Sequence, residues 1–285
     1  GPEAVIGFDG QISAIDYNGQ RTEWWKQKGE GRVVGLAARN GRVVATTDKG
    51  IVYLFDGDPA PLPDPAPIAE EKPLDAAVMA EAKAILDAAK INEGYAAVLG
   101  AGHADFALAL ARQSDLQIVA IESDEAAAQA ARLRIANAGL YGTRVSVHVG
   151  SLDATNYPKQ FANLVVAPKQ VSHAIQKEME RLRRPYSGLI CHRGSLKLEK
   201  ASAPIGAGSW THQNGSAANT LCSDDELVKG KLSMFWFRDV EFEVANRHGQ
   251  GPAPLISQGY MVTSGVHGLC CLDAYNGRKL WEFDV

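Results

Sequence analysis

Two glycines, one acid and a histidine–arginine pair carry the chemistry most readable in this chain. The run Val98-Leu99-Gly100-Ala101-Gly102-His103-Ala104 is an apolar strand end that turns through glycines into an Ala-rich helical stretch. Glycine lets backbone approach a ligand closely, and the helix N-terminus that follows adds positive potential, so the loop suits a nucleoside cofactor. Glu122 closes the next strand, about 20 residues on, where a carboxylate can accept hydrogen bonds from both ribose hydroxyls. Gly100, Ala101, Gly102 and His103 together with Glu122 and Ser123 form the first candidate site, with His103 read equally as a ligand contact or a helix cap. His192-Arg193 ends a later strand and offers a base and an anion contact, although a half-exposed polar strand end explains the pair more simply. His212 and Cys222 lack the partner spacing of a zinc site, and Arg247-His248-Gly249-Gln250-Gly251-Pro252 reads as a turn, so no metal is expected. Cys191, Cys222, Cys270 and Cys271 show no CxxC spacing and are expected as buried free thiols, the last two on opposite faces of one strand.

The elements that must hold these residues alternate. Helices are predicted over Leu74–Ala89, Ala104–Gln113, Glu125–Ala138 and Ser172–Arg184, the last with Arg181, Arg183 and Arg184 on its polar side. Strands are predicted over Val98–Gly100, Ile118–Glu122, Val145–Val149, Leu164–Ala167 and Gly188–Cys191. A βαβα rhythm of this kind argues a parallel sheet covered on both faces.

Either side of that part the texture is β. Before it, runs over Gln11–Asp16, Val33–Ala37, Arg42–Thr47 and Ile51–Phe55 are separated by Asn40-Gly41 and Asp48-Lys49-Gly50, which is hairpin chemistry. Gly41 to Asp56 and Gly259 to Asp273 repeat one another: a glycine, a β run, a polar turn ending in glycine, a second β run and an aspartate. Ile15-Asp16-Tyr17-Asn18-Gly19 leads to Trp24 as Leu272-Asp273-Ala274-Tyr275-Asn276-Gly277 leads to Trp281. Trp24, Trp25, Trp236 and Trp281 are read as packing anchors. The domain map is then 3–57 repeat strands, 58–73 a Pro-rich linker, 74–203 the α/β part, 204–230 a connecting loop and 231–285 repeat strands, with the two β segments expected in one β unit.

Three passages give the α/β part a family likeness. Ala131-Arg132-Leu133-Arg134-Ile135-Ala136-Asn137-Ala138-Gly139-Leu140, then Val145 to Ser151, resembles class I S-adenosylmethionine methyltransferases, in which a helix ending in Asn-x-Gly-Leu precedes a third strand closing on Gly-Asp. Glu180 to Ile190 looks like the same family's passage from helix into fifth strand. The likeness spans roughly Leu74 to Ala203. It implies that Gly100 and Gly102 face the methionine part, Glu122 the ribose, and Ser151-Leu152 the adenine edge. The chain departs from the family at Val98, where an acid is usual, at Ala104 for a third glycine, and at Ser151 for the acid after the third strand, with Asp153 nearby. The fourth-strand acid is matched at best by Asn163, and Ala167-Pro168-Lys169-Gln170 stands in place of an Asn-Pro-Pro-Tyr motif. The flanking repeats resemble quinoprotein-like β-propellers, Asp273…Asn276-Gly277…Trp281 matching the PQQ-repeat signature. The expected fold is therefore a Rossmann-like, methyltransferase-type α/β domain inserted in an all-β partial β-propeller. A repeat signature reports packing, and PQQ is not expected as a ligand.

Composition narrows the partners. The 285 residues carry a net charge of -4 and 46% hydrophobic residues, which gives no electrostatic case for nucleic acid. No apolar run reaches the roughly 20 residues of a membrane helix. Gly1-Pro2 resembles a protease-cleavage remnant, so the chain is expected to be an excerpt of a longer protein, its missing blades supplied there or by other copies. The reading carried forward is methyl transfer from S-adenosyl-L-methionine, a small-molecule cofactor, to an unidentified acceptor. A non-catalytic scaffold with a degenerate cofactor site is the alternative, and an NAD-dependent oxidoreductase the third.

Overall fold

The structure, a computed structural model, describes residues 3–16, 23–57, 72–100, 102, 104–232, 234–238 and 252–284. The chain divides into two compact units, Gly1–Pro67 and Ile68–Val285. The linker residues 58–71, the Tyr17-Asn18-Gly19 turn and the 247–251 turn lie outside the described residues.

The first unit is one antiparallel sheet of four strands in sequence order: β1 (Glu3–Asp16), β2 (Glu23–Arg39), β3 (Arg42–Thr47) and β4 (Val52–Asp56). Strands β1 and β2 run well beyond the apolar stretches that announced them. Ile12, Ala14 and Ala45 are its buried centre. Trp25 packs edge-on against Phe55, whereas Trp24 is largely exposed.

The second unit begins with α1 (Ala76–Ala89), whose first turn is capped by Asp75 accepting from the Ala77 N–H. Then follow β5 (Glu93–Leu99), α2 (Ala104–Arg112), β6 (Asp115–Glu122), α3 (Glu125–Asn137), β7 (Val145–Val149), β8 (Leu164–Ala167), α4 (His173–Leu182), β9 (Leu189–His192) and β10 (Leu198–Lys200). The sheet order is β10-β9-β8-β5-β6-β7. Strands β5 to β9 run parallel, as the alternation required, but β10 folds back antiparallel to β9, so the sheet is mixed rather than parallel throughout. Alternate strand residues enter opposite cores: Val98, Ile118, Ala120 and Val166 meet α1, α2 and α3, while Leu99, Ile121 and Val165 meet Met179 and Leu182 of α4. Chain order reverses between β5 and β8, and that is where an open α/β sheet leaves a crevice at its carboxyl edge.

The second unit ends in β11 (Leu255–Ser257), β12 (Tyr260–Ser264), β13 (Gly268–Asp273) and β14 (Lys279–Asp284), again four antiparallel strands in sequence order. Residues 231–232 and 234–238 form no strand, so β texture resumes later than anticipated. The two copies of the repeat stand in separate sheets and separate compact units, where one shared β unit was expected. Cys270 and Cys271 point to opposite faces of β13 and both are buried, so this strand is covered on both sides. No disulfide joins the four cysteines; Cys222, contrary to expectation, is exposed.

The C-terminal sheet docks on the amino edge of the α/β sheet. Arg184, placed by the sequence on the polar side of a helix end, is instead buried in an ion pair with Asp273, Nε to Oδ2 at 2.6 Å. Its Nη2 donates to the Gly259 carbonyl and its Nη1 to the Ser187 hydroxyl. Asn276 donates to the Phe161 carbonyl, and Arg278 pairs with Glu93 at the start of β5. Trp236 is an anchor here, its indole N–H bonded to the Ala274 carbonyl; Trp281 is half-exposed. Every one of these α/β partners precedes a strand or opens one, so these contacts all fall at the amino edge.

Candidate functional site at the carboxyl edge

Three strand ends line up at this edge. The ladder runs one residue past the strands, with the Gly100 N–H donating to the Ile121 carbonyl and the Gly150 N–H to the Glu122 carbonyl. Gly100 and Gly102 have φ of 104° and 70°, a region that favours glycine. A Cβ built on Gly102 would touch nothing within 4 Å, so this position needs glycine for its backbone angle and not for want of space. Ala101 and His103 lie outside the described residues, and the expectations placed on them stay expectations.

Glu122 is only 4% exposed. Its Oε1 accepts from the Asp124 N–H at 3.1 Å and weakly from the Ser123 hydroxyl at 3.4 Å. Asp124 in turn caps α3 through the Ala127 N–H, so the start of the helix holds the carboxylate in place. Oε2 has no protein donor among the described residues. Oε2 is not sealed from solvent, so it can accept from water or from a ligand hydroxyl. The donor set therefore fits a ribose diol.

The third strand end carries Ser151 and Leu152. Ser151 donates to Asp153, which restores an acid to this loop two residues after the family's place for one. Leu152 leans on the core beneath α4. The loop is pinned from below by Glu178, whose Oε1 accepts from both the N–H and the hydroxyl of Thr155 while Arg181 binds both of its oxygens. Burial alone pushes the Glu178 carboxyl up, but these donors outweigh it and bring it down to about 2.

Two positions are corrected. Asn163 lies before β8, at the amino edge, where its side chain accepts from the Tyr95 N–H; it cannot stand in for an acid at the cleft. Val98 is fully buried against the helices α1 to α3, so its apolar side chain is part of the core. The carboxyl end of β8 is Ala167-Pro168, and beside it stands His192. Arg193 is held by Glu81 of α1 at 2.7 Å and lies 4.5 Å over the Phe106 ring, so it is not available to grip an anion. Burial, then the Glu81 carboxylate, pushes the Cys191 thiol up to about 11, which removes it as a nucleophile at neutral pH. No cluster of three metal-ligating side chains occurs among the described residues. None of their helices is long and apolar enough to cross a membrane.

A family model described as a methyltransferase domain matches residues 97–187, from the end of β5 to the loop before β9. This stretch is similar to methyltransferase domains. Solved structures similar to the chain include an S-adenosyl-L-methionine-dependent methyltransferase candidate of Methanococcus maripaludis, at 22% identity and TM-score 0.37, covering 40% of this chain and 54% of that one. Others are a SAM-dependent methyltransferase of Aquifex aeolicus (16%, TM-score 0.35, 41% and 65%) and geranyl diphosphate C-methyltransferase of Streptomyces coelicolor (15%, TM-score 0.36, 39% and 44%). The chain spans about half the length of the structures it matches. No curated protein matches it.

Proposed function

We propose that the α/β domain binds S-adenosyl-L-methionine along its carboxyl edge and transfers the methyl group to an acceptor bound over β8. The observation that carries this reading is Glu122, held at the end of β6 through Oε1 while Oε2 takes no donor from the described residues and stays open to solvent, beside a glycine loop that opens α2. Gly100 and Gly102 would let backbone reach the methionine part, with Ala101 and His103 completing the loop. The N-terminus of α2 would favour its carboxylate. Glu122 and Ser123 would take the ribose, and Ser151, Leu152 and the added Asp153 the adenine edge. When bound, the sulfonium supplies an already activated methyl group, which leaves the protein to position an acceptor and remove its proton. Each four-stranded sheet is proposed as one blade-like, PQQ-type repeat without a quinone, the second serving to hold the α/β domain from its amino edge.

With Val98 in the core, no side chain there meets the methionine ammonium, so a micromolar or weaker Kd is expected; 1 μM corresponds to about −8.2 kcal/mol. Titration calorimetry with S-adenosylmethionine, S-adenosylhomocysteine and NAD tests the reading. Glu122→Ala should weaken binding of the first two by about 10- to 100-fold, the loss of a charge-assisted contact worth about 1.5–3 kcal/mol. Unchanged affinity in that variant, or saturable binding of NAD alone, would count against it. The apolar Val98 site favours the scaffold reading, which takes over if neither sulfur compound binds at millimolar concentration.

A further inference from the structure

We propose that His192 is the general base of this transfer and that the acceptor is a hydroxyl of phenolic acidity; the inference rests on the methyltransferase reading above. His192 ends β9, in register with Ala167 at the end of β8. Its ring crosses to the next residue of the neighbouring chain, with Nδ1 3.2 Å from the Pro168 carbonyl. That places the imidazole above the end of β8, which borders the reversal point between β5 and β8. A backbone carbonyl only accepts, so Nδ1 carries the proton and, in the neutral ring, Nε2 carries the lone pair. Nε2 has no protein hydrogen bond among the described residues and is not sealed from solvent. The ring is thus fixed by one nitrogen and open at the other, the arrangement a base requires.

The surroundings narrow the acceptor. The partner behind Nδ1 is a carbonyl and not a carboxylate, so the hydrogen bond that fixes the ring adds no anion to stabilise the imidazolium as it forms. Such a base takes a proton of pKa about 10, as in a phenol, far more readily than one from an aliphatic alcohol. Lys169 follows Pro168 and reaches toward Gly194 at the end of β9, with no ion pair among the described residues. An ammonium there favours a developing phenolate and opposes a cationic amine. The step balances simply. The phenol proton passes to Nε2, the oxygen forms a bond to the methyl carbon, and the methyl–sulfur bond breaks with its electron pair left on sulfur as a neutral thioether.

The test uses the whole chain with S-adenosylmethionine and three acceptors: 4-methylphenol, benzylamine and benzyl alcohol. Methylation of the phenol alone is expected, its rate rising with pH along the His192 titration followed by NMR. Nitrogen-15 shifts of the neutral ring should show the proton on Nδ1, a readout that needs no turnover. His192→Asn keeps a donor for the Pro168 carbonyl but has no base; it should leave the fold and S-adenosylhomocysteine affinity within about twofold while lowering kcat by about 100-fold or more. His192→Gln should lose activity similarly. A neutral ring protonated on Nε2, preferred methylation of benzylamine, or kcat in His192→Asn within about threefold of the parent would each overturn the inference while leaving the methyltransferase reading intact. Failure of the parent to bind S-adenosylhomocysteine overturns both.

Discussion

The two copies of the repeat fold alike and are used differently. In the first, Asn40-Gly41 joins β2 to β3 with φ of 51° and 75°; in the second, Gln258-Gly259 joins β11 to β12 with φ of 50° and 80°. Both are therefore two-residue turns of left-handed backbone, and each sets the next residue opposite the closing aspartate, Arg42 against Asp56 and Tyr260 against Asp273. The aspartates then part. Asp56 binds Arg42 of its own sheet at 2.7 Å, with the arginine side chain 64% exposed. Asp273 binds Arg184 of the α/β domain at 2.6 Å, with both side chains at 4% exposure or less. One hairpin thus yields a surface pair in one setting and a buried clamp in the other, so the repeat signature reports how the hairpin closes and its surroundings decide what the acid does.

The largest effect should follow from breaking that symmetry. Arg184→Ala strands Asp273 in a buried site and should cost about 3–5 kcal/mol, whereas Arg42→Ala removes an exposed partner and should cost about 0–1 kcal/mol. Hydrogen exchange resolved by peptide reads each sheet separately. Comparable losses in the two variants would mean that the clamp carries no more than a surface pair. Replacing Arg184 and Asp273 together by Leu should recover much of the loss, since the penalty lies in the unpaired charge.

Acid should sharpen the contrast next. Glu178 belongs to the second unit, and its folded carboxyl titrates at about 2 against an ordinary 4.5. A lowered folded value means the stabilisation is present above 4.5 and is lost as pH falls from there toward 2. The window is worth roughly 3 kcal/mol to the loop that carries Ser151 and Leu152. Protection of residues 150–160 should fall across that range in the parent and stay flat in Glu178→Gln. A flat profile in the parent would show that Thr155 and Arg181 do not hold the carboxylate in solution.

What could be read in advance follows the range of the interactions. Val145–Val149 and Leu164–Ala167 match their strands residue for residue, the second because a buried parallel strand is a continuous apolar run, the first because valine alternates with polar residues along an edge strand. Strand β5 starts at Glu93, five residues ahead of the reading at Val98, since Gly94 with φ of 116° interrupts the apolar run without ending the pairing. Strand β10 escaped because Leu-Glu-Lys is three residues of mixed polarity, paired only through a hairpin to β9. At the carboxyl edge, the placement of Gly100, Gly102 and Glu122 was legible from strand-to-helix spacing alone. The His192–Pro168 contact was not, because it spans 24 residues between neighbouring strands. Arg184 and Asp273 stand 89 residues apart, and nothing local distinguishes Arg184 from Arg181 or Arg183. The tryptophans misled for a related reason: Trp24 and Trp236 look alike in sequence, but Trp236 is held by the Ala274 carbonyl while Trp24 is 58% exposed.

The smallest effect is expected at the paired turn glycines, and it isolates backbone from surroundings. Gly41 and Gly259 share nearly the same φ, so a Cβ strains both alike, by about 1–2 kcal/mol, partly offset by the lower entropy of the unfolded chain. Around Gly41 a Cβ would meet nothing within 4 Å, and Gly41→Ala should therefore cost about 1 kcal/mol or less. Around Gly259 the added carbon would stand 2.8 Å from Arg184 Nη2 and 3.2 Å from Tyr275. Either the guanidinium withdraws from the Gly259 carbonyl, losing a charge-assisted hydrogen bond, or the turn moves and the Asp273 pair loosens. Gly259→Ala should exceed Gly41→Ala by about 1–2 kcal/mol in hydrogen-exchange protection of its own sheet. The excess should vanish when Arg184 is already Ala, because the obstacle is then gone. An excess that persists in that double variant would place the difference in the turns themselves and not in the clamp.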